Sequence, residues 1–217
     1  VAYLDRHTFD MLMNQARIKL PGSSDSGIKL ELYDVMKEFL ADSHAWTEDI
    51  TFTAAPNVLL YTLLPQFGGQ IISLVGVWDD KFIPIPAFMP DFGTIRIVNQ
   101  ASTTPNQPLW TARVVKNITL PTTKDDVPVG PDWLLTVYSV HILDGLLGKM
   151  MGQQAKSFSN DKMAAYHLKR FRTGIQIART AALRQNTTGA QEWAFPRGWT
   201  TSTQRGGVST AWPTRAF

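Results

Sequence analysis

Four histidines, His7, His44, His141 and His167, are the side chains best suited to bind a metal or to move a proton near neutral pH. Each stands alone in its segment. None has a second histidine at the i, i+4 spacing that would present two imidazoles to one ion, so each reads as a structural residue. Paired acids could act as general acid and base if both lined one cleft. The adjacent pairs here, Glu48-Asp49, Asp79-Asp80 and Asp125-Asp126, read as turn residues facing water. Gly145-Leu-Leu-Gly148-Lys149 has the glycines and lysine of a phosphate loop, but the glycine spacing differs and no Ser/Thr follows to hold magnesium. It also lies within a helical pattern. There is no dinucleotide fingerprint and no G-x-S-x-G nucleophile elbow. The chain has no cysteine, which excludes disulfide frameworks and thiolate metal sites. Asn117-Ile-Thr119 and Asn186-Thr-Thr188 fit the glycosylation pattern, which carries little weight where no secretory signal is visible. The expectation is a protein that is not an enzyme and takes no cofactor and no metal.

Charge is the stronger signal. From Lys156 to Phe217 there are ten Lys/Arg and two acids, a net of +8, whereas residues 1–155 carry eleven Lys/Arg and sixteen acids, a net of −5. Lys162, Lys169, Arg172 and Arg179 recur at seven- and three-residue steps, which places them on one stripe of a helix. Such a stripe has two readings. It can neutralise phosphates without reading sequence, or it can be a solvated face that meets acids on a neighbouring subunit. The strand-rich middle offers no aromatic platform with basic neighbours for stacking bases. Beyond the helix, Trp193, Phe195, Pro196, Arg197, Trp199, Arg205, Trp212, Arg215 and Phe217 stand among Gly, Thr and Pro. Trp and Arg often supply the binding energy at interfaces, so these residues are candidates for an arm that orders on docking.

The elements that position these residues follow from periodicity. At 217 residues the chain is one large domain or two small ones. A hydrophobic content of 44% can build a core, and a charged fraction of 18% is low. Phe9, Leu12, Met13, Ala16 and Leu20 recur at helical spacing after Thr8, a candidate cap, and Pro21-Gly22 ends that helix. Leu32, Val35, Met36, Phe39 and Leu40 form the face of a second helix, paired with the first as a hairpin. The period then changes. Strands are expected at Ile50–Thr53, Val58–Leu63 after a turn at Pro56-Asn57, Gln70–Trp78, Lys81–Ile85 after a turn at Asp79-Asp80, Thr94–Val98 and Trp110–Val115. Pro84, Pro86 and Pro90 confine their segment to an edge or an extended loop. After a linker, Asp132 is expected to cap a third helix, Trp133 to about Gln154, that is apolar nearly all round and therefore central. Gly145 and Gly148 would admit another helix closely. His141, Asp144 and Lys149 within that stretch speak against a membrane span. Ser159 or Asn160 caps a fourth helix with the stripe Leu168, Phe171, Ile175, Ala178 and Ala182. The expected fold class is α+β. A four-helix bundle (1–47 and 131–186) carries a small antiparallel β insertion (48–120, with a linker at 121–130) between helices 2 and 3, and an extended arm (187–217) follows.

Two stretches resemble the head-to-tail adaptor (neck or connector) proteins of tailed bacteriophages. Phe9 to Leu63 has a short helix, a Pro-containing loop, a second helix and the aromatic lead-in Trp46-Thr47-Glu48-Asp49-Ile50. Ala164 to Trp199 is similar to that family's last helix and its W-x-F-P exit, here Trp193-Ala-Phe195-Pro196. The resemblance implies a homo-oligomeric ring, expected to be about twelvefold, in the virion neck, assembled in the host cytoplasm. It implies an arm docked on the portal protein, a β insertion facing a downstream tail or nozzle protein, and DNA passing non-specifically through the channel. No membrane contact is expected. Rival readings are another neck or tail component, such as a stopper or tail terminator, and a nucleic-acid-binding protein using the basic helix.

Overall fold

The computed structural model describes residues 4–55, 58–98, 108–121 and 127–186, with residues 185 and 186 described by backbone alone. The expected arm, with Trp193, Phe195, Pro196, Arg197, Trp199, Arg205, Trp212, Arg215 and Phe217, lies outside the described residues, as do Pro56-Asn57 and Asp125-Asp126.

The chain begins with two helices, α1 (Arg6–Lys19) and α2 (Asp25–Ser43). In α1, Phe9, Leu12, Met13 and Ala16 are buried, as their spacing requires. The helix starts ahead of Thr8, after Asp5, whose side chain makes no capping bond. Gly22 turns the chain at φ +85°, and Ser24 Oγ accepts the Gly27 N–H at 3.2 Å to cap α2. The face Leu32, Val35, Met36, Phe39 and Leu40 is fully buried. Each such side chain contributes about 1.5–3 kcal/mol by leaving water. Phe9 meets Tyr33 with ring centroids 5.8 Å apart, which joins the two helices as the expected hairpin.

The expected small β insertion is overturned. Among the described residues seven strands form two antiparallel sheets, and five helices take the place of a four-helix bundle. The strands are β1 (Thr47–Thr53), β2 (Leu60–Thr62), β3 (Gln70–Trp78), β4 (Pro84–Ile85), β5 (Ala87–Asp91), β6 (Thr94–Ile97) and β7 (Leu109–Asn117). One sheet has the order β1-β7-β3-β4 and the other β2-β6-β5. The physical reason is that the strand segments bury enough apolar surface to make a core of their own. Ile50, Ile71, Val77, Trp110, Ala112 and Val114 of the first sheet close on Ile95 and Ile97 of the second. Phe52 of β1 stacks on Tyr61 of β2 at 4.9 Å, tying the sheets together. β5 runs through Pro90, a residue expected at an edge or in an extended loop. It forms there because β5 is a sheet edge, where a missing N–H leaves no ladder bond unmade. β4, with Pro84, is also an edge.

The third helix is likewise corrected. Trp133 to about Gln154 is not one rod but α3 (Trp133–Val137) and α4 (Ser139–Met151). The break is at Tyr138, φ −109° and ψ 15°, preceded by the β-branched Thr136 and Val137, which favour helix weakly. The Tyr138 ring lies against Phe39 (5.1 Å) and Trp133 (5.9 Å). Asp132 precedes α3 but is itself in the helical region, and its side chain accepts no capping bond. The last helix, α5 (Asp161–Asn186), does start at an expected cap, with Asn160 Oδ1 accepting the Met163 N–H at 3.1 Å.

Helices and sheets meet along β7. Its inward face runs Trp110, Ala112, Val114 and then Lys116, which is 0% exposed. Lys116 Nζ donates to Glu48 Oε2 at 2.6 Å and lies 4.2 Å from the centre of the Trp46 ring. Glu48 Oε1 accepts the Gln66 N–H at 2.9 Å. Glu48-Asp49 is therefore not a turn pair facing water. Both residues are in β1 and point to opposite faces, and Asp49 takes a bidentate bond from Arg113 at 2.6 and 2.7 Å. That bond, foremost, holds the Arg113 guanidinium above its ordinary range. The Asn117 amide donates to the Lys37 carbonyl at 3.2 Å, fastening β7 to α2.

Candidate interaction surface

α5 carries the charged residues singled out from sequence, and its buried side fixes how they are presented. It packs antiparallel on α4 through glycine notches. A Cβ on Gly174 would collide with the His141 ring, one on Gly145 would stand 2.7 Å from Phe171 and from Val35, and one on Gly148 would stand 2.7 Å from Leu168. Gly152 lies against Ala164. Gly145 and Gly148 thus admit a neighbouring helix as expected. The phosphate-loop likeness disappears under Phe171 and Leu168. Phe171, Ile175, Ala178 and Ala182 are buried and Leu168 half-buried, so the apolar stripe lies where its spacing placed it.

With that stripe anchored, Lys162, Lys169, Arg172 and Arg179 are all exposed. At about 100° per residue they span roughly a quarter of the helix circumference. None of the four has an ion-pair partner among the described residues. Lys169 and Arg172 line a shallow groove of about 510 Å³ with Leu168 and Gln176. Arg172 and Arg179 line a second groove of about 390 Å³ against Asp42 and His44 at the end of α2. Beside this row α5 also exposes Tyr166, Ile177 and Leu183. A face that mixes unpartnered cations with large apolar side chains has the composition of an interface rather than of a purely solvated helix.

On α2, Glu31, Asp34 and Glu38 form an acidic row. Lys149 of α4 reaches Glu38 at 2.6 Å and Glu31 at 3.8 Å. Burial, opposed by Lys149 and reinforced by Asp34 and Glu38, raises the Glu31 carboxyl above its usual range. The β sandwich has exposed apolar residues of its own. Phe82, at the tip of the β3–β4 connection, is 81% exposed and held at φ +61°. Asp79 Oδ1 fixes that tip by accepting the N–H groups of Lys81 (2.9 Å) and Ile83 (2.7 Å), so Asp79-Asp80 is the turn the sequence suggested.

One constellation was not visible in sequence. Asp144 of α4 is 4% exposed, and its Oδ1 lies 2.8 Å from His167 Nδ1 of α5. Arg170 Nε stands 3.1 Å from Oδ2 but off the hydrogen-bonding direction, so Oδ2 accepts no hydrogen bond. The two partners are 23 residues apart on different helices. The available signal was a carboxylate inside an otherwise apolar helix, which requires a partner somewhere. His141 is the other histidine of this interface, with Nδ1 buried and without a hydrogen bond. His7 and His44 are exposed. Among the described residues no three His, Asp or Glu side chains gather as a metal site, and no helix is long and apolar enough to cross a membrane. No protein-family model and no curated protein matches the chain.

Proposed function

We propose that the chain is a structural virion protein, a head-to-tail adaptor whose copies form a ring below the portal protein. In this reading the ring extends the DNA channel and offers a platform to a downstream tail protein. The arm at 187–217 docks on the portal, and the ring joins the virion neck after assembly in the host cytoplasm. The observation that carries the reading is α5. It is keyed to α4 along its buried side while its outer side presents Lys162, Lys169, Arg172 and Arg179 beside Tyr166, Ile177 and Leu183. A second support is the excess of helix over strand among the described residues, where a stopper or tail terminator is expected to be richer in strand.

Sedimentation velocity of the chain alone and mixed with the portal ring from the same genome tests this. The expected result is co-sedimentation at equal subunit ratio, lost when residues 187–217 are removed. Retained association of the truncated chain would refute the docking arm. No association at all, together with DNA binding that weakens steeply with salt, would replace the adaptor by a nucleic-acid-binding protein acting through the same four cations.

A further inference from the structure

β1 is the outer strand of the four-stranded sheet and pairs with β7 on one side only. Two bonds at its ends fix which residues face β7. The Lys116 N–H donates to the Trp46 carbonyl at 2.8 Å, and the Ala54 N–H to the Pro108 carbonyl at 3.0 Å. In an antiparallel ladder the bonding direction alternates along the strand, so Glu48, Ile50 and Phe52 bond to β7. Thr47, Asp49, Thr51 and Thr53 turn their N–H and C=O groups the other way, and no described residue bonds to those groups. An unpaired row of this kind is a template for another strand, and proteins normally blunt it.

The other three edges are blunted. β4 has two residues, begins with Pro84 and is followed by Pro86. β5 contains Pro90 and shifts register against β6 between Phe88 and Asp91. β2 has three residues. β1 has seven, without proline and in unbroken register with β7. Its two charges do not guard it either, because Lys116 neutralises Glu48 and Arg113 neutralises Asp49. Thr51 and Thr53 are exposed, which leaves the edge open to an incoming strand.

The side chains say which strand fits. Laid antiparallel on a second copy of itself about Ile50, β1 overlaps over its whole length. Thr47 then faces the partner's Thr53, Asp49 faces the partner's Thr51, and Ile50 faces the partner's Ile50. Threonine pairs and β-branched pairs are favourable across strands, and no like charges meet. Pairing about Asp49 instead would set carboxylate against carboxylate and shorten the overlap.

We propose that β1 is a self-recognition edge, through which two copies join as a symmetric pair and their four-stranded sheets run on as one. The inference is independent of the adaptor reading. A ring closes through two unlike surfaces, whereas this pair uses one surface twice.

The test is sedimentation velocity of the full chain from about 10 µM to 1 mM, a range suited to a contact smaller than a standard interface. The expected result is a reversible monomer–dimer equilibrium. Thr51→Pro removes an N–H that points away from β7, so the β1–β7 ladder is kept, and it is expected to abolish the dimer while circular dichroism shows the fold retained. Thr51→Asp, an exposed change, sets two carboxylates against the Asp49 side chains of the pair and should weaken the dimer about threefold or more. Thr51→Lys should not weaken it. A monomer throughout the range, or a dimer indifferent to Thr51→Asp, would overturn the proposal, and equal weakening by Lys and Asp would overturn the pairing about Ile50. A chain that is monomeric alone but loses its portal association on Thr51→Pro would give the edge to a strand of another protein and overturn self-recognition.

Discussion

Among the described residues two carboxylates are buried against a basic side chain, Glu48 at the end of the β sandwich and Asp144 between α4 and α5, and the two contacts are finished differently. Lys116 and Glu48 are saturated. The ammonium has its carboxylate at 2.6 Å and an aromatic face at 4.2 Å, and the second carboxylate oxygen takes a backbone N–H. Asp144 and His167 make one good bond, and Asp144 Oδ2 has Arg170 Nε at 3.1 Å but accepts no hydrogen bond. A saturated buried pair specifies how elements meet. An unsaturated one leaves part of its burial cost unrecovered. The first is read as joinery between helices and sheets, the second as a looser contact between α4 and α5.

Removing one partner from each pair should separate the two. Lys116→Ala leaves the Glu48 charge buried and unpaired, and a loss of about 3–5 kcal/mol in urea unfolding is expected. Replacing both residues, as in Lys116→Met with Glu48→Leu, should recover most of it. Asp144→Asn removes a charge that accepts one hydrogen bond and faces the half-exposed Arg170, and it should cost about 1–3 kcal/mol. If Asp144→Asn proves the more damaging change, the contrast between the pairs fails.

An intermediate effect is expected at the notches that set the α4–α5 contact. Alanine is the better helix former by about 1 kcal/mol, yet Gly174→Ala should destabilise by about 1–3 kcal/mol, because its Cβ meets the His141 ring. In a His141→Ala background the same substitution should become neutral or stabilising. A double-mutant cycle in denaturant reads that coupling directly.

The smallest effect belongs to Glu31. Its carboxyl titrates above its ordinary value of 4.5 in the folded protein, first because burial disfavours the charge. A group with a raised folded pKa favours the native state below its unfolded pKa, and that contribution is lost as pH rises through the folded value. Neutral pH is thus where the ionised carboxylate weighs against folding. Glu31→Gln should raise the thermal midpoint slightly at pH 7, by less than about 1 kcal/mol in free energy, and the gain should vanish in acid below the ordinary carboxylate range. A gain that persists there would assign the effect to something other than ionisation.

What was legible in the sequence was local. The face Leu32 to Leu40, the strand Gln70–Trp78, the cap at Asn160 and the stripe of α5 each depend on residues within one or two turns of one another. Gly145 and Gly148 announced a close approach without naming what would fill it. The misreadings needed distant information. The break at Tyr138 depends on Phe39, about a hundred residues earlier, as much as on Thr136 and Val137. Two sheets rather than a small insertion follow from strands that share a core, which no strand discloses alone. His167 looked solitary because its carboxylate lies on another helix.

The notches between α4 and α5 also give the pair a mechanical character. His141, Gly145 and Gly148 face Gly174, Phe171 and Leu168 in antiparallel order. Sliding α5 by one turn, about 5.4 Å, would carry Phe171 onto His141 in one direction and His141 onto Ala178 in the other. The first sets ring against ring, and the second puts a methyl where the His141 ring now lies over a glycine. Tension applied along α5 is therefore resisted at all three keys together, and the helix behaves as a splined shaft that hands the load to the core instead of creeping past it.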